Sequence, residues 1–326
     1  MRALVISEIG DQLECTVHEV DAASRDAGDV LVRIDFSCLN FKDALVAVPA
    51  SRVRRVPTLI GGVDAAGTVE NSADQRFPVG TPVAVHGGDL GVARDGGFAE
   101  FVYAPARFLS RLPESIGTRD AMVIGTAGFT AMASVLALEA HGLAMNGEVL
   151  VTGATGGVGS MAVSLLAARG YRPVASTGSP DEEPWLRARG ATRVIGRTEI
   201  ADRPDRVLAT EWWDGAVDCI GGQTLGQILR SLRYGAAVAA SGLVAGAELH
   251  TTVYPFITRA VSLFGIDAVE MADVRRGEVW AAWGATAPDV DLGALVDRVV
   301  SLEGVPDAIE AVRSGTTRGR ILVDPN

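Results

Sequence analysis

Cysteine, histidine and lysine are all scarce in this chain of 326 residues. Cys15, Cys38 and Cys219 are too few and too scattered for a disulfide framework or for a four-cysteine structural zinc lobe. His18, His86, His141 and His250 stand alone, and neither an HExxH nor a CxxC motif occurs, so no metal is expected. Each histidine reads as a surface or locally satisfied residue. The G-x-S-x-G elbow of a serine nucleophile is missing as well. Lys42 is the only lysine, every other basic side chain being arginine; composition bias accounts for that, with a role near a site as the alternative. Positive charge is in deficit, 29 basic against 40 acidic residues, for a formal net charge of −11. A phosphate backbone or an anionic bilayer would repel such a chain, which argues against nucleic acid and membrane as partners. Two stretches, 121–138 and 149–168, carry no charge, but glycines and hydroxyls interrupt both, which fits buried elements better than lipid-facing ones. Residues 1–9 alternate as a strand does and carry no apolar signal core, so the reading is cytoplasmic, with reduced cysteines.

What is abundant is glycine, 38 residues, in a chain that is 48% hydrophobic. At roughly 150 residues per domain the length suggests two domains. Up to about residue 117 the texture is β-rich, with strand-like segments at 29–35, 66–70, 82–86 and 98–104 and a hairpin-type turn at Asp95-Gly96-Gly97. From about residue 119 helices and strands alternate. A helix is expected from near Asp120 to Ala140, capped by Thr118 and ended by Gly142. Strands at 148–152, 173–177, 193–195, 216–220 and 236–241 alternate with helices at 160–169, 184–189 and 224–232. That order implies a parallel sheet with right-handed crossovers. A strand at 262–265, two amphipathic helices and a last strand at 320–324 complete the chain.

The most specific local signal is Val149-Leu150-Val151-Thr152-Gly153-Ala154-Thr155-Gly156-Gly157-Val158-Gly159-Ser160, a buried strand running through glycines into an apolar helix. This is the setting of a dinucleotide fingerprint, although Ala154 stands where the first glycine of the fingerprint usually does. Gly156 lets the backbone approach a pyrophosphate and Gly159 lets helix pack on strand, while the helix N-terminus offers N–H groups to phosphate. Thr155, Gly156, Gly157 and Val158 are therefore candidate cofactor contacts. NAD sites place a carboxylate at the tip of the second strand. Here that tip reads Ser176-Thr177-Gly178-Ser179, whose hydroxyls suit a 2′-phosphate, and Arg197 after the third strand can stack on adenine or meet that phosphate. The cofactor expected is NADPH, although Asp181, Glu182 and Glu183 follow closely.

Further motifs are Leu39-Asn40-Phe41-Lys42-Asp43-Ala44-Leu45, Gly62-Val63-Asp64-Ala65-Ala66-Gly67-Thr68-Val69, Gly96-Gly97-Phe98-Ala99-Glu100, Ile124-Gly125-Thr126-Ala127-Gly128-Phe129-Thr130-Ala131, Pro255-Phe256-Ile257 and Arg318-Gly319-Arg320. Together with the glycine loop they resemble the quinone oxidoreductase-like branch of the medium-chain dehydrogenase/reductase superfamily, and within it the acryloyl-CoA reductase family. The resemblance covers the chain in order. It implies an α/β protein: a Rossmann doubly wound parallel sheet (residues 119–256) inserted in a GroES-like β-barrel catalytic domain (residues 1–118 and 257–326), with the site in the cleft between them. It also implies a homodimer joined through Rossmann sheet edges, with 261–266 as the edge strand.

The activity the resemblance implies is zinc-independent reduction of an activated C=C bond in a small-molecule substrate, an enoyl-CoA such as acryloyl-CoA. Asn40 is the expected donor to the carbonyl oxygen as negative charge builds on it. Asp64 matches a cleft-facing acid, with capping of a helix or turn as its alternative. Phe41, Thr130, Leu243 and Ile266 match positions near the cofactor; Thr130 has helix back-bonding as its alternative. Three residues depart from the family pattern: Phe41 where relatives carry tyrosine, Gly61 where proline is frequent, and Ser179 where arginine often faces the 2′-phosphate. Phe41 has no hydroxyl to give a proton, so the proton comes from water, from another residue, or is less needed by a substrate such as a quinone. A quinone or enone oxidoreductase is thus the alternative activity, and a non-catalytic NADPH-binding protein the alternative of another class. Arg52, Arg54 and Arg55 form either a site for CoA phosphates or a solvated loop.

Overall fold

The computed structural model describes residues 1–10, 12–22, 29–201 and 206–326. The chain divides into two compact units: Met1–Thr126 with Val269–Ala287 and Leu292–Asn326, and Ala127–Ala268 with Pro288–Asp291. The expected boundaries at 118 and 256 thus shift to 126 and 268. A single helical stretch, 118–140, crosses the first of them, and the strand at 262–265 pairs into the sheet of the second unit.

In the first unit the chain opens with β1 (Arg2–Ile9), β2 (Gln12–Glu19), β3 (Asp29–Cys38), the short helix α1 (Phe41–Val46), β4 (Thr58–Ile60), β5 (Asp64–Asn71), β6 (Pro82–His86), β7 (Phe101–Pro105) and β8 (Leu109–Arg111). β1 pairs antiparallel with β2 and β4. β3 pairs with β5 and β7, and β5 continues through β6 to β8. Alternation explains β3, where Val30, Val32 and Ile34 are fully buried between more accessible neighbours. They pack with Val83, Val85, Val102 and Phe108 in one apolar core. The expected hairpin turn at Asp95–Gly97 does not form. Instead the Asp95 carboxylate accepts the Ile60 N–H at 3.0 Å, and Gly96 and Gly97 donate to the carbonyls of Ile60 and Gly62, so this segment lines the backbone of residues 60–62.

Helix α2 (Thr118–Ala140) follows, but not as the continuous helix expected. Gly125 has φ 49° and ψ −164°, which breaks it into two pieces. The helix is long and apolar enough to cross a membrane, yet 83% of its most apolar window is buried within the protein.

The second unit then lays down β9 (Glu148–Thr152), α3 (Gly157–Ala168), β10 (Arg172–Thr177), α4 (Glu183–Ala188), β11 (Arg193–Gly196), α5 (Thr198–Ala201), β12 (Trp213–Asp218), α6 (Gly222–Ser231), β13 (Leu232–Ala240), α7 (Tyr254–Arg259) and β14 (Ser262–Gly265). The sheet is parallel in the order β11-β10-β9-β12-β13-β14. That is the doubly wound Rossmann arrangement, whose strand order reverses beside β9. Val149, Leu150 and Val151 are fully buried, as a central parallel strand covered on both faces requires. The expected edge strand is found as β14.

The chain returns to the first unit with α8 (Asp273–Thr286), β15 (Val296–Ser301), α9 (Val305–Ser314) and β16 (Arg320–Asp324). β16 pairs with β3 at Leu322–Cys38 and Val323–Ser37. Ile321 and Val323 pack with Leu39, Ala44, Val305 and Ile309, which seats α1 between the two ends of the unit's chain.

Candidate active site

β3 ends in two buried residues, Ser37 and Cys38, and the chain turns at Leu39-Asn40 into α1. Asn40 is extended (φ −126°, ψ 160°), as a residue preceding a helix usually is. Its backbone N–H donates to the Asp43 carboxylate at 2.8 Å, and Asp43 also accepts the Val63 N–H at 3.0 Å. One buried carboxylate therefore ties the start of α1 to the segment before β5. Burial, the largest influence, pushes Asp43 up to about 7, aided by the Asp64 charge and opposed by the Asn40 and Val63 N–H groups and by Arg320.

Asp64 opens β5 and is fully buried. Its carboxylate accepts the Asn40 side-chain amide at 2.8 Å, the Thr126 backbone N–H at 2.7 Å and the Thr126 hydroxyl at 2.5 Å. The Cys38 thiol also donates to it, at 3.3 Å. Asp64 was expected as a cleft-facing acid or a cap; here the carboxylate is an acceptor hub, and Thr126 opens the second piece of α2. The break at Gly125 makes this approach possible. A Cβ there would lie 2.7 Å from Asp64 Oδ2, 2.7 Å from Arg320 Nη2 and 2.8 Å from Cys38 Sγ, so only glycine fits, and its φ of +49° favours glycine as well.

Arg320, at the start of β16 and 3% exposed, fills the other side of the cluster. It donates to Val123 O at 3.0 Å, Leu39 O at 3.1 Å, Asn40 Oδ1 at 3.3 Å and Cys38 Sγ at 2.9 Å. Burial raises the Cys38 thiol well above its ordinary range, with Arg320 pulling the other way, so it stays a neutral thiol. Phe41, the first residue of α1, is 44% exposed, and Lys42 is half-buried. Of the arginine triplet, Arg54 is buried, paired with Glu8 and bonded to Val46 O at 2.7 Å; it is a structural residue, whereas Arg52 and Arg55 are exposed.

In the second unit the glycine loop joins β9 to α3. Gly156 caps α3, and its N–H donates to Gly153 O at 3.0 Å. A Cβ on Gly159 would lie 2.3 Å from Gly153 O, so the helix can approach the strand this closely only with glycine. Thr155 Oγ1 lies 3.5 Å from Thr177 Oγ1, and the Thr177 hydroxyl accepts the Ser179 N–H at 3.0 Å. Arg197 donates its backbone N–H to Thr177 O at 3.0 Å, and its guanidinium lies 3.3 Å from where a Gly178 Cβ would stand. The structure thus brings Thr155, Ser176, Thr177, Gly178, Ser179 and Arg197 together with Gly156, Gly157 and Val158 at the carboxyl ends of β9, β10 and β11. Leu243, 63% exposed, follows β13; its Cα lies 3.2 Å from the position of a Gly221 Cβ. Ile266 follows β14 and donates its N–H to Ala240 O at 3.0 Å. Thr130 is buried in the second piece of α2, its carbonyl accepting the Ser134 hydroxyl at 2.8 Å.

Sequence reasoning overlooked several of these residues. In the sequence Arg320 stands out only as part of a motif, and Cys38 only as one cysteine of three. Asp218, which accepts the Thr152 hydroxyl at 2.7 Å and the Gly221 N–H at 2.8 Å, ties the end of β9 to the start of α6 and has no motif of its own in the sequence. Burial raises its carboxyl above the ordinary range, against these bonds. Its position at the carboxyl end of β12 was the only signal available.

Residues 26–114 match the alcohol dehydrogenase GroES-like domain and residues 157–282 the zinc-binding dehydrogenase domain. Over 323 residues the chain is 42% identical to YhfP of Bacillus subtilis, named as a quinone oxidoreductase, covering 99% of this chain and 98% of that one. It is 40% identical to the acrylyl-CoA reductase AcuI of Ruegeria pomeroyi, covering 99% of each. The chain belongs to the medium-chain dehydrogenase/reductase superfamily. Its place is in the branch of YhfP and AcuI. Among solved structures, the YhdH oxidoreductase of Salmonella enterica in complex with NADP superimposes with a TM-score of 0.95 at 38% identity, covering 100% of both chains. YhfP with NAD bound gives 0.95 at 42% identity, covering 99% of this chain and 98% of that one.

One of the two domain descriptions for this medium-chain member names zinc, and the residues do not fit it. Among the described residues no three His, Cys, Asp or Glu side chains gather as ligands. The Cys38 sulfur faces the Arg320 guanidinium at 2.9 Å, a cation where a zinc thiolate would need its metal.

Proposed function

We propose that this protein is an NADPH-dependent reductase of an activated C=C bond, with a short enoyl-CoA such as acryloyl-CoA as substrate. The observation that carries the reading is the buried Asn40 carboxamide, held between Arg320 on its oxygen and Asp64 on its nitrogen. One amide N–H goes to Asp64, and among the described residues the second has only the Cys38 sulfur, 4.0 Å away and a weak acceptor. Exchanging that contact for a carbonyl oxygen gaining negative charge costs little and gains a charge-assisted bond. Asn40 is then the donor to the enolate oxygen, and Asp64 the residue that positions it.

The dinucleotide fits the loop of the second unit, because Gly156 puts no side chain at the N-terminus of α3 and Gly159 lets the helix pack against Gly153 and Ala154. Thr155, Gly156, Gly157 and Val158 are assigned to the pyrophosphate, and Ser176 to Ser179 with Arg197 to the 2′-phosphate; Phe41, Thr130, Leu243 and Ile266 are assigned to the nicotinamide end. NADPH, when bound, supplies the hydride that enters the β-carbon. The α-carbon then takes a proton, which Phe41, without a hydroxyl, cannot give. Water or another residue gives it.

That missing hydroxyl, together with the quinone oxidoreductase name of YhfP, favours a quinone as the second reading. Following NADPH oxidation at 340 nm against acryloyl-CoA, crotonyl-CoA and a series of quinones separates the two. Turnover of the enoyl-CoAs, faster with NADPH than with NADH, is expected. Turnover of quinones alone moves the protein to the second reading, and tight NADPH binding without any turnover removes both.

A further inference from the structure

We infer that Arg320 is a positioning residue for the reduction, setting the direction and the donor strength of the Asn40 amide. This rests on the reading of Asn40 as the donor to the substrate oxygen. The two ends of a carboxamide have nearly the same shape, so only its partners decide which way it faces. Arg320 can only donate and so demands the oxygen; the Asp64 carboxylate accepts and so demands the NH₂. Both demands agree. With 3% and 0% of their surfaces exposed, Arg320 and Asp64 meet little water that could substitute for either contact.

Arg320 is itself held by three contacts besides the one to Asn40. Val123 O fixes Nε at 3.0 Å, Leu39 O fixes Nη1 at 3.1 Å, and Cys38 Sγ receives Nη2 at 2.9 Å. The planar guanidinium is therefore locked in angle as well as in place, which a lysine ammonium could not reproduce. A cation on the amide oxygen also draws electron density away from the nitrogen. The N–H left for substrate becomes a stronger donor, as in any polarised hydrogen-bond chain. A structural arginine would only need to hold β16 to α1. This one ends on the oxygen of the same amide whose nitrogen is assigned above to the substrate carbonyl.

The test is a double-mutant cycle with a spectroscopic readout beside it. Asn40→Ala should lower kcat roughly 100-fold, in the range for loss of one such donor. Arg320→Lys should lower kcat at least about tenfold while KM and NADPH affinity change less than about twofold. Placed in the Asn40→Ala background, Arg320→Lys should cost less than about threefold, because the residue it acts through is gone. Additive losses overturn the inference and leave the Asn40 reading standing. An unchanged kcat in Asn40→Ala overturns the Asn40 reading instead. Independently of turnover, side-chain ¹⁵N labelling of asparagine gives signals from only Asn40, Asn71, Asn146 and Asn326. Arg320→Lys or Arg320→Gln should shift the Asn40 pair and leave the other three in place. An unmoved Asn40 pair overturns the inference. So does failure of both variants to fold and bind NADPH, which would make the guanidinium a structural brace.

Discussion

Arg197 places a cation at the tip of β10 where an NAD-type site would hold a carboxylate. Its guanidinium rests against Gly178, whose missing side chain gives it room, and its backbone is pinned to Thr177 O. On the proposed reading this cation meets the 2′-phosphate, the one group by which NADPH differs from NADH. Replacing Arg197 with alanine should weaken NADPH binding about tenfold, or roughly 1.4 kcal/mol, and change NADH binding less than about twofold. Titration of nucleotide fluorescence reads both; equal losses for the two nucleotides would place Arg197 on the adenine ring instead.

The element that decides the geometry of the barrel-side cluster is α2, and its decisive residue is the one with no side chain. Gly125→Ala would force a methyl group to within 2.7 Å of Asp64 and Arg320 at a backbone angle of φ +49°. Strain and crowding together should lower unfolding free energy by roughly 2 kcal/mol or more. The same variant should reduce kcat while leaving NADPH affinity, assigned above to the glycine loop, nearly unchanged; chemical denaturation, nucleotide titration and steady-state kinetics on one preparation check all three. Elements were largely legible in the sequence where periodicity was strong. The run from Val149 into α3, the parallel strands and the final strand at Arg320–Asp324 all follow from burial on two faces or from alternation. The break in α2 was not legible, because Gly125 is one of several small residues in an uncharged stretch and its φ depends on residues brought from β3, β5 and β16. The same holds for Arg320 as a site residue. A cation in an Arg-Gly-Arg segment looks solvated until the strand pairing of Leu322 with Cys38 buries it. The hairpin expected at Asp95–Gly97 failed for a related reason, since its glycines serve a close approach to residues 60–62 and no strand returns beside them.

At the scale of the molecule, response to acid follows from a second buried group in the first unit. His86 ends β6 with its ring enclosed; Trp280 Nε1 approaches its Nε2 at 3.4 Å, and Arg276 donates to its carbonyl at 2.9 Å. Burial, with the Arg276 charge adding, lowers the imidazole from 6.5 to about 3. The unfolded chain therefore binds a proton near pH 6.5 that the folded protein refuses until about pH 3. Stability from this residue falls as pH drops through that window, by up to about 1.4 kcal/mol per pH unit. Asp43 acts in the opposite sense, because its carboxyl, raised to about 7, binds a proton more readily folded than unfolded. The measurement is accordingly a difference. Urea unfolding of wild type and His86→Gln at pH 7 and pH 5 should show wild type losing more stability on acidification than the variant, and equal losses would rule the histidine out.

The bond between Arg320 and Cys38 spans 282 positions of sequence, with the whole second unit between them. A ribosome that has delivered Asp64, Cys38 and Asn40 has yet to deliver their cation, and the nucleotide-binding sheet must emerge in the interval. The first unit therefore waits, with acidic groups meant for burial still open to water, while the second has every residue it needs to close its sheet. The topology thus makes the parallel sheet complete in sequence before the barrel-side cluster, which has to await β16.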